Sequence, residues 1–454
     1  MNHWLGGPRV LLRTRQARRN HDAGAALRAL TRGADTAVGL RIRGRHILLL
    51  LTPELAGELL CGHAADTTKG PGVQLTRGLL GNGLLTSEGE THRRARRLVA
   101  PAFSPRRLAG YTDTFARCAQ AHSEGWRDGQ AVDMHHEMAA LTLEIVGRTL
   151  LGLDLSAQAP QVRAGLESAL AQFSGDGFAI PGRRRLGRLV GRSRSQPVLD
   201  DRPGAGVHQL IRDIVDERRR SPTSDRGDVI SALLAASAEP DGLSADEVHD
   251  NVMTLLMAGH ETTANALSWT MDLLGRHPEV RLRLEAEVDG LGGELPTVQD
   301  LPGLTYTRAV ISEAIRLYPP AWIIGRSTAT PLELGGWHVP AGSVVAVSPL
   351  LLHHDPRWFP DPEVFDPDRW LDGRRDLVPR HAYLPFGTGP RACIGEQFAW
   401  MEATTVLAVL TQSWTAEPEL ARAPSGQYRV TLRPAGGLPM TLHSRRPDPS
   451  RLAS

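Results

Sequence analysis

The sequence predicts a large, mainly α-helical fold with small β-sheets. Turn residues divide the 454-residue chain without the regular alternation of strands and helices that a parallel α/β fold shows, and no internal repeat is visible. One segment near the middle has the pattern of an unusually long helix. Although ~150 residues is a common domain size, single large α-rich folds reach this length, and we expect residues 1–454 to form one domain.

The predicted strands are local. Residues 40–51 have the pattern of a hairpin that turns at Gly44, and a helix is expected to begin after Thr52. A second strand pair is predicted within residues 332–347. The arginine-rich segment 181–204 is interpreted as a solvated loop between helices, with a lid as the less favoured alternative.

Composition excludes several classes of protein. With 41% hydrophobic residues the chain can bury a large core, so disorder throughout is excluded. The 52 basic and 50 acidic residues give a net charge of +2, so neither a nucleic-acid partner nor a polybasic membrane anchor is expected. Lys69 is the only lysine in the sequence, and we draw no mechanism from that bias.

The three cysteines, Cys61, Cys118 and Cys393, are far apart and form no C-x-x-C pair. This spacing argues against a disulfide scaffold or a structural zinc site and fits a reducing cytoplasm. The longest apolar run near the N-terminus, residues 47–51, is far shorter than the ~20 residues that span a bilayer. We therefore expect a soluble, cytoplasmic protein without a membrane anchor.

The clearest helix is predicted from Ser244 to about His277. Ser244 and Glu247 have the spacing of a capping box, and Pro278 ends the pattern. At 1.5 Å per residue this helix would be ~50 Å long. Its centre is apolar nearly all round, which is typical of a helix buried on every side.

Three residues do not fit this apolar centre. Gly259 weakens the helix, Glu261 is a carboxylate among apolar residues, and Thr262 can bond back to the carbonyl of Ala258, which predicts a bend or bulge. Read alone, the segment is equally consistent with a satisfied core acid beside a threonine that caps a carbonyl.

Cys393 lies where a glycine-rich loop enters a helix, so backbone N–H groups and the positive helix end are expected to stabilise a thiolate. Gly389 and Gly395 are expected to let a flat ligand approach the backbone. A cysteine nucleophile would need a partner base, and no histidine lies in this loop.

The residues Phe386, Gly389, Arg391, Cys393 and Gly395 match the F-x-x-G-x-R-x-C-x-G haem loop, and on them the chain resembles the cytochrome P-450 monooxygenases. Further matches follow the family's order along nearly the whole chain. They are the oxygen-activation stretch at 258–263, the E-x-x-R pair Glu313 and Arg316, and the segment 366–370 that contains Arg369.

The resemblance implies a cytochrome P-450 fold with haem b between the long central helix and the loop of the axial thiolate Cys393. By family position His92, Arg96, Arg326 and Arg391 would bind the haem propionates, with the His92 contact sensitive to protonation. Phe386, Gly389 and Gly395 complete the cofactor-binding set. Glu261 and Thr262 resemble the family's acid–alcohol pair for O₂ activation, and Glu313, Arg316 and Arg369 resemble its buried structural triad.

The implied reaction is insertion of one oxygen atom from O₂ into an apolar small molecule. A terpenoid is the first expectation, and a fatty-acid or polyketide chain is the next. No fused reductase is expected, so electrons from NAD(P)H would arrive through a separate ferredoxin or flavodoxin and its reductase. Arg93, Arg94 and Arg97 could dock an acidic ferredoxin. By family position substrate contacts would come from residues 79–85, 170–178 and 321–324, which are aliphatic with few charges.

Two alternatives belong to other classes of protein. A non-catalytic haem-thiolate sensor would keep Cys393 but would not need Glu261 and Thr262. A transferase with a cysteine nucleophile would need no haem at all. The spectrum of the reduced protein with carbon monoxide distinguishes the three, because only thiolate-ligated haem gives a strongly red-shifted Soret band.

Overall fold

The computed structural model describes residues 4–6, 10, 14, 22–42, 44–154, 162, 164–166, 168, 204–220, 226–422 and 424–445. Helices dominate this part of the chain, as predicted. The α-helices of the described residues are α1 Ala23–Thr31, α2 Pro53–Gly57, α3 Pro71–Leu75, α4 Arg77–Leu80, α5 Gly89–Val99, α6 Pro105–Glu124, α7 Met134–Val146, α8 Ala205–Arg220, α9 Val229–Ser237, α10 Ala245–Arg276, α11 Pro278–Asp289, α12 Thr305–Leu317, α13 Pro349–His353 and α14 Glu396–Ser413.

The strands form four small sheets within the described residues. A six-stranded sheet has the order β1-β2-β3-β9-β6-β4, a three-stranded sheet has the order β10-β13-β5, and β7-β8 and β11-β12 are two-stranded. The strands are β1 Leu5–Gly6, β2 Ala37–Ile42, β3 Arg45–Leu50, β4 Thr67–Lys69, β5 Ala131–Asp133, β6 Ile324–Thr328, β7 Leu332–Leu334, β8 Trp337–Val339, β9 Val344–Val347, β10 Trp414–Pro418, β11 Gly426–Tyr428, β12 Leu432–Pro434 and β13 Pro439–Ser444.

Both predicted strand pairs are confirmed. β2 and β3 are antiparallel and turn at Gly44, whose φ of 80° favours glycine. The helix α2 then begins at Pro53, capped by the side chain of Thr52. β7 and β8 turn at Gly335 and Gly336, but residues 344–347 form a third strand that joins the six-stranded sheet.

The central helix α10 has the predicted bounds. The Ser244 side chain accepts a hydrogen bond from the Glu247 N–H at 3.2 Å, and the Glu247 carboxylate accepts one from the Ser244 N–H at 2.9 Å. The helix is 32 residues long and ends at its C-cap His277. It packs against α7, α12 and α14, and most of its side chains are buried. It therefore crosses the middle of the molecule, as its apolar pattern predicted.

Of the bend or bulge predicted in α10, the bulge is wrong. The helix is α-helical throughout, and the Thr262 hydroxyl donates to the Ala258 carbonyl at 2.7 Å without interrupting it. Gly259 has a packing role instead, because a Cβ there would lie 3.2 Å from a methyl carbon of Val146 on α7. Capping thus predicted the helix bounds correctly, whereas the three misfit residues do not produce a bulge.

Among the described residues, no helix combines the length and apolar character needed to cross a membrane. The predicted loop at 181–204 lies outside the described residues up to position 203. The expected substrate-contact stretch 170–178 lies wholly outside them.

Candidate active site

Cys393 stands in a short loop between a 3₁₀ turn, Gly389–Arg391, and the first residue of α14. Its N–H donates to the carbonyl of Phe386 at 2.9 Å, which closes the loop on itself. Arg96 on α5 donates to the carbonyl of Ala392 at 2.8 Å and ties the loop to that helix. The thiol is therefore held from two sides.

The thiol of Cys393 is surface-accessible, yet burial raises its pKa above the ordinary value for cysteine. Both observations hold for a sulfur on the wall of an internal cleft. A hydrogen bond from the Gly395 N–H acts in the opposite direction, as expected for a loop that enters a helix, but burial outweighs it. Burial thus favours the thiol, and a cation bound to the sulfur would favour the thiolate.

Gly389 and Gly395 in this loop have different surroundings. Gly389 has φ +73°, and a Cβ on it would collide with the carbonyl of Leu60. On the Cβ side of Gly389 the close neighbour is thus the protein backbone. At Gly395 a Cβ would make ordinary contact, 3.9 Å from the Cys393 sulfur. The close approach of a flat ligand expected at Gly389 and Gly395 stays a prediction, and contact with Leu60 is a further reason for glycine at position 389.

Behind the loop lies a buried ion-pair cluster built on α12. Glu313 and Arg316 are fully buried, and Arg369 from the 3₁₀ turn Pro367–Trp370 donates to Glu313 at 3.1 Å. Arg316 also donates to the carbonyl of His353 at 2.8 Å, and His353 accepts the N–H of Leu384 at 2.9 Å. The three residues predicted as a triad are thus in contact and connect α12 to the chain just before the cysteine loop.

A cluster of basic side chains lies beside the thiol. Its members come from four separate segments, and Glu88 is the acid among them. Burial and mutual repulsion lower the pKa of all but Arg96 among these basic groups. The predicted members are His92 and Arg96 on α5, Arg326 on β6, and Arg391 in the cysteine loop. Lys69 on β4 is a fifth member, directly opposite Arg326 in the six-stranded sheet.

The pKa values of the cluster follow from burial and mutual repulsion. Burial, followed by repulsion from Arg326 and Arg391, lowers the pKa of Lys69 to about 7. Burial and then Arg391 lower the pKa of His92 to about 3, so its imidazole is neutral across the physiological range. Since negatively charged propionates beside His92 would raise this pKa, the protonation sensitivity expected of the His92 contact stays a prediction. Arg391 is paired with Glu88, which also accepts the backbone N–H of Lys69 at 2.5 Å.

On the central helix, Glu261 and Thr262 lie on a face that is not fully buried. Ala258 is exposed although the residues from Asn251 to Met257 are buried, and Glu261 and Thr262 are half-buried. The helix face that carries Ala258 and Thr262 is therefore accessible to solvent. Because the Thr262 hydroxyl donates to Ala258, its oxygen lone pairs can accept a hydrogen bond from water on that face.

Three residues in the predicted substrate-contact stretches belong to the core instead. Leu79 and Leu80 are fully buried, and Trp322 is 1% exposed with its indole N–H donated to the carbonyl of Arg429 at 2.9 Å. Ile323 and Ile324, which follow Trp322, are half-buried. The apolar character of these stretches thus partly reflects packing and not a ligand.

The sequence model of the family described as Cytochrome P450 matches residues 7–436. The chain belongs to the cytochrome P450 family. It is a P450 monooxygenase, an oxidoreductase whose family carries a haem-thiolate iron.

Three relatives of this P450 come from Streptomyces. Cyclooctatin synthase of Streptomyces melanosporofaciens is 43% identical over 84% of this chain and 83% of the relative. Cyclooctat-9-en-7-ol 5-monooxygenase of the same organism is 40% identical over 84% and 82%. Pentalenene oxygenase of Streptomyces avermitilis is 37% identical over 81% of each chain.

Solved structures agree with the fold. The heme domain of cytochrome P450DA superposes with a TM-score of 0.79 at 27% identity, covering 96% of this chain and 93% of that one. The cyanobacterial CYP120A1 with retinoic acid bound superposes with a TM-score of 0.77 at 28% identity, covering 90% and 91%. The mainly helical P450 fold predicted from the sequence is confirmed.

The basic cluster fits the haem of a P450. Three arginines and Lys69 accompany a single carboxylate, Glu88, so the cluster has an excess of positive charge that attracts two propionates. The sulfur of Cys393 lies close to this cluster, because the charges of Arg96 and Lys69 both act to lower the pKa of the thiol. Among the described residues there is no group of three or more His, Cys, Asp or Glu side chains that could hold a metal ion by themselves.

Sequence reasoning missed Lys69 and Glu88 as members of this site. Lys69 had one signal, because it is the only lysine in a chain with 52 basic residues. Glu88 had none, since its partners Arg391 and Gln74 meet it only in the folded chain.

Proposed function

We propose that this P450 monooxygenase inserts oxygen into a neutral terpenoid at the cleft between Cys393 and the central helix α10. The observation that carries the site assignment is the accessible but enclosed thiol of Cys393 with the cationic cluster beside it. When bound there, haem supplies reductive activation of O₂.

The residues of the chain have separate parts in this proposal. Cys393 gives its thiolate to the iron, and His92, Arg96, Arg326, Arg391 and Lys69 orient the propionates. Since these donors come from α5, β4, β6 and the cysteine loop, the cofactor would join elements that are far apart in sequence. Phe386 packs against Trp400 with ring centroids 5.4 Å apart and adds apolar surface to the loop.

The acid–alcohol pair controls protons on the other side of the cleft. Thr262 holds a water molecule through its hydroxyl oxygen, and the Glu261 carboxylate exchanges a proton with water beside it. If the cleft excludes all water except the molecule held by Thr262, protons reach the reacting oxygen only through that water and Glu261. This division of roles explains why a buried helix contains a carboxylate and a solvent-accessible hydroxyl in succession.

Electrons are proposed to pass from NAD(P)H through a separate ferredoxin or flavodoxin and its reductase. Arg93 and Arg97 are exposed on α5, the helix that also carries His92 and Arg96. An acidic partner docked on these arginines would be steered by charge, which makes its association sensitive to salt.

The terpenoid proposal rests on apolar cleft residues and on two relatives whose names specify their substrates, cyclooctat-9-en-7-ol and pentalenene. Fatty-acid and polyketide chains remain the competing substrates. The test titrates the haem-loaded protein with pentalenene, cyclooctat-9-en-7-ol and lauric acid and follows the spin-state shift of the Soret band. Ligands that shift the band are then turned over under ¹⁸O₂.

We expect a shift with the terpenoids and one ¹⁸O atom in the product. A shift and labelled product with lauric acid alone would contradict the substrate class, whereas unlabelled product would contradict monooxygenation of that compound.

A further inference from the structure

A chain of hydrogen bonds leads from the Glu261 carboxylate on α10 to His135 on the neighbouring helix α7. Thr431 donates its hydroxyl hydrogen to Glu261 Oε1 at 2.6 Å. The Thr431 oxygen accepts a hydrogen bond from Nδ2 of Asn265 at 3.1 Å. Oδ1 of Asn265 lies 3.0 Å from Nε2 of His135 on α7. Four side chains from three parts of the sequence thus form one connected series.

The direction of these bonds is fixed by the chemistry of the groups. Since Asn265 Oδ1 can only accept, His135 Nε2 must carry a hydrogen. The amide nitrogen of Asn265 can only donate, so it occupies a lone pair of Thr431 and leaves the threonine hydrogen for Glu261. Each donor therefore sets the orientation of the next group, which polarises the final bond to the carboxylate.

The Thr431 side chain is held in place by its surroundings. Thr431 stands in the turn between β11 and β12 and is 6% exposed. On one side Trp322 bonds the carbonyl of Arg429 at 2.9 Å, and on the other the N–H of Leu432 donates to Pro320 at 2.9 Å. The turn is thus pinned to the segment after α12 at both ends.

The helix supplies the matching geometry. Asn265 follows Glu261 by four residues, so both lie on one face of α10, and Thr431 bridges them. Asn265 is fully buried, and its amide is used by partners from two other elements. A glutamate has three rotatable side-chain bonds, and this bridge selects one orientation for its carboxylate.

We propose that Thr431 is a positioning residue for Glu261, supported from behind by Asn265 and His135. This inference rests on the proposed proton-exchanging role of Glu261 and assigns the residues that hold that acid in its working orientation. The β11–β12 hairpin thereby takes part in proton delivery without contacting the reacting atoms.

The test compares Thr431→Val, which removes the hydroxyl at similar volume, with Thr431→Ser, which retains it. A matched control is Thr270→Val, because the Thr270 hydroxyl is buried in the same helix and donates only to the Ala266 carbonyl at 2.7 Å among the bonds that the structure describes. The haem-loaded variants are examined by the C–O stretching band of the reduced carbon monoxide complex, which responds to nearby polar groups without turnover. Oxygen consumption is then measured in H₂O and D₂O.

Thr431→Val is expected to shift or broaden the C–O band as Glu261→Gln does, and to raise the solvent isotope effect. It should slow oxygen consumption by about tenfold, less than the 10²–10⁴-fold typical for loss of a whole acid–base group. Thr431→Ser should restore wild-type behaviour to within about twofold, and Thr270→Val should match wild type. The double variant of Thr431→Val and Glu261→Gln should consume oxygen no more slowly than Glu261→Gln alone, because both changes remove the same function.

Two different failures are distinguishable. A wild-type C–O band and isotope effect in Thr431→Val, while Glu261→Gln changes both, would overturn the positioning role and leave the acid role of Glu261 intact. If Glu261→Gln leaves oxygen consumption unchanged, the acid role fails, and the C–O band of Thr431→Val still decides whether the bridge orients the carboxylate. Should Thr431→Val not retain haem, His135→Phe replaces it, because position 135 is half-exposed. The same band shift is then expected, and its absence would contradict the proposal.

Discussion

Arg316 donates two hydrogen bonds of 2.8 Å to Glu313, one to each carboxylate oxygen, from the next turn of α12. Both side chains are fully buried. Glu313 also accepts from Arg369, from the indole of Trp370 at 3.0 Å and from the N–H of Asp366 at 3.1 Å. A single carboxylate thus satisfies five donors and joins α12 to the segment that leads to the cysteine loop.

Glu313→Gln should be strongly destabilising because it leaves two buried guanidinium groups without their counter-charge. Removal of one partner of a buried ion pair costs about 3–5 kcal/mol in the free energy of unfolding. Urea denaturation measures this loss, and the haem content of the purified protein measures its consequence. The control is Glu90→Gln, since the Glu90–Arg93 pair is more than 70% exposed and is expected to contribute less than ~1 kcal/mol. Equal stability of the two variants would contradict the structural role of the triad.

Cys393→Ser should abolish the red-shifted Soret band of the reduced carbon monoxide complex, because serine offers no thiolate to the iron. Cys61→Ser is a demanding control, since Cys61 lies 3.8 Å from Thr388 in the same loop region. Cys118→Ser is the buried control, where burial raises the thiol pKa to about 12. Both controls should keep the band. Its retention in Cys393→Ser would mean that another residue holds the iron.

The lowered pKa of Lys69 predicts a pH-dependent contribution to haem affinity. Without propionates the Lys69 pKa is about 7, below the ordinary value of 10.5, and two carboxylates beside it would raise the value again. Below pH 7 the ammonium is already charged and attracts haem fully. Above pH 7 haem binding must take up a proton, so affinity falls by up to about tenfold per pH unit until the pKa of the haem-bound state is reached.

The test measures transfer of haem from the protein to apomyoglobin from pH 6.5 to 9.5, in wild type and in Lys69→Met. Both proteins contain Cys393, so the difference between their pH profiles reports the contribution of Lys69. Affinity should fall more steeply with pH in wild type than in the variant. Parallel pH profiles would exclude Lys69 from the propionate site.

Only two of the three arginines expected to dock a redox partner remain available in the structure. Arg94 donates to the carbonyl of Gly242 at 2.7 Å and pairs with Glu247, so it stabilises the start of α10. Arg93→Glu and Arg97→Glu should slow reduction by an acidic ferredoxin, and ionic strengths near 0.1 M, where the Debye length is ~10 Å, should do the same in wild type. Arg94→Glu should instead lower the midpoint of thermal unfolding. Stopped-flow reduction that is independent of salt and of both exposed arginines would contradict docking on α5.

Local sequence signals predicted much of the fold and many residues of the site. The contacts that were missed form between residues that are far apart in sequence and meet only in the folded chain. A capping box gave the start of α10, and Gly44 gave the β2–β3 turn, because both depend on neighbours in sequence. Lys69 could not be placed, since only the pairing of β4 with β6 brings it opposite Arg326. The bridge from Thr431 to Glu261 joins residues far apart in the chain, and a threonine in a turn carries no sequence signal for such a contact.

Thr262→Ala gives the most direct test of oxygen activation at this site. If the Thr262 hydroxyl positions water for proton delivery, the variant should bind haem, substrate and O₂ and still consume NAD(P)H through its redox partners. Most of the consumed oxygen should then leave as hydrogen peroxide. A threonine that only bonds the Ala258 carbonyl would cost about 1 kcal/mol of stability when removed and leave product formation unchanged. The decisive quantity is hydrogen peroxide released per NAD(P)H consumed: the account predicts a large rise over wild type, and a ratio equal to wild type would contradict it.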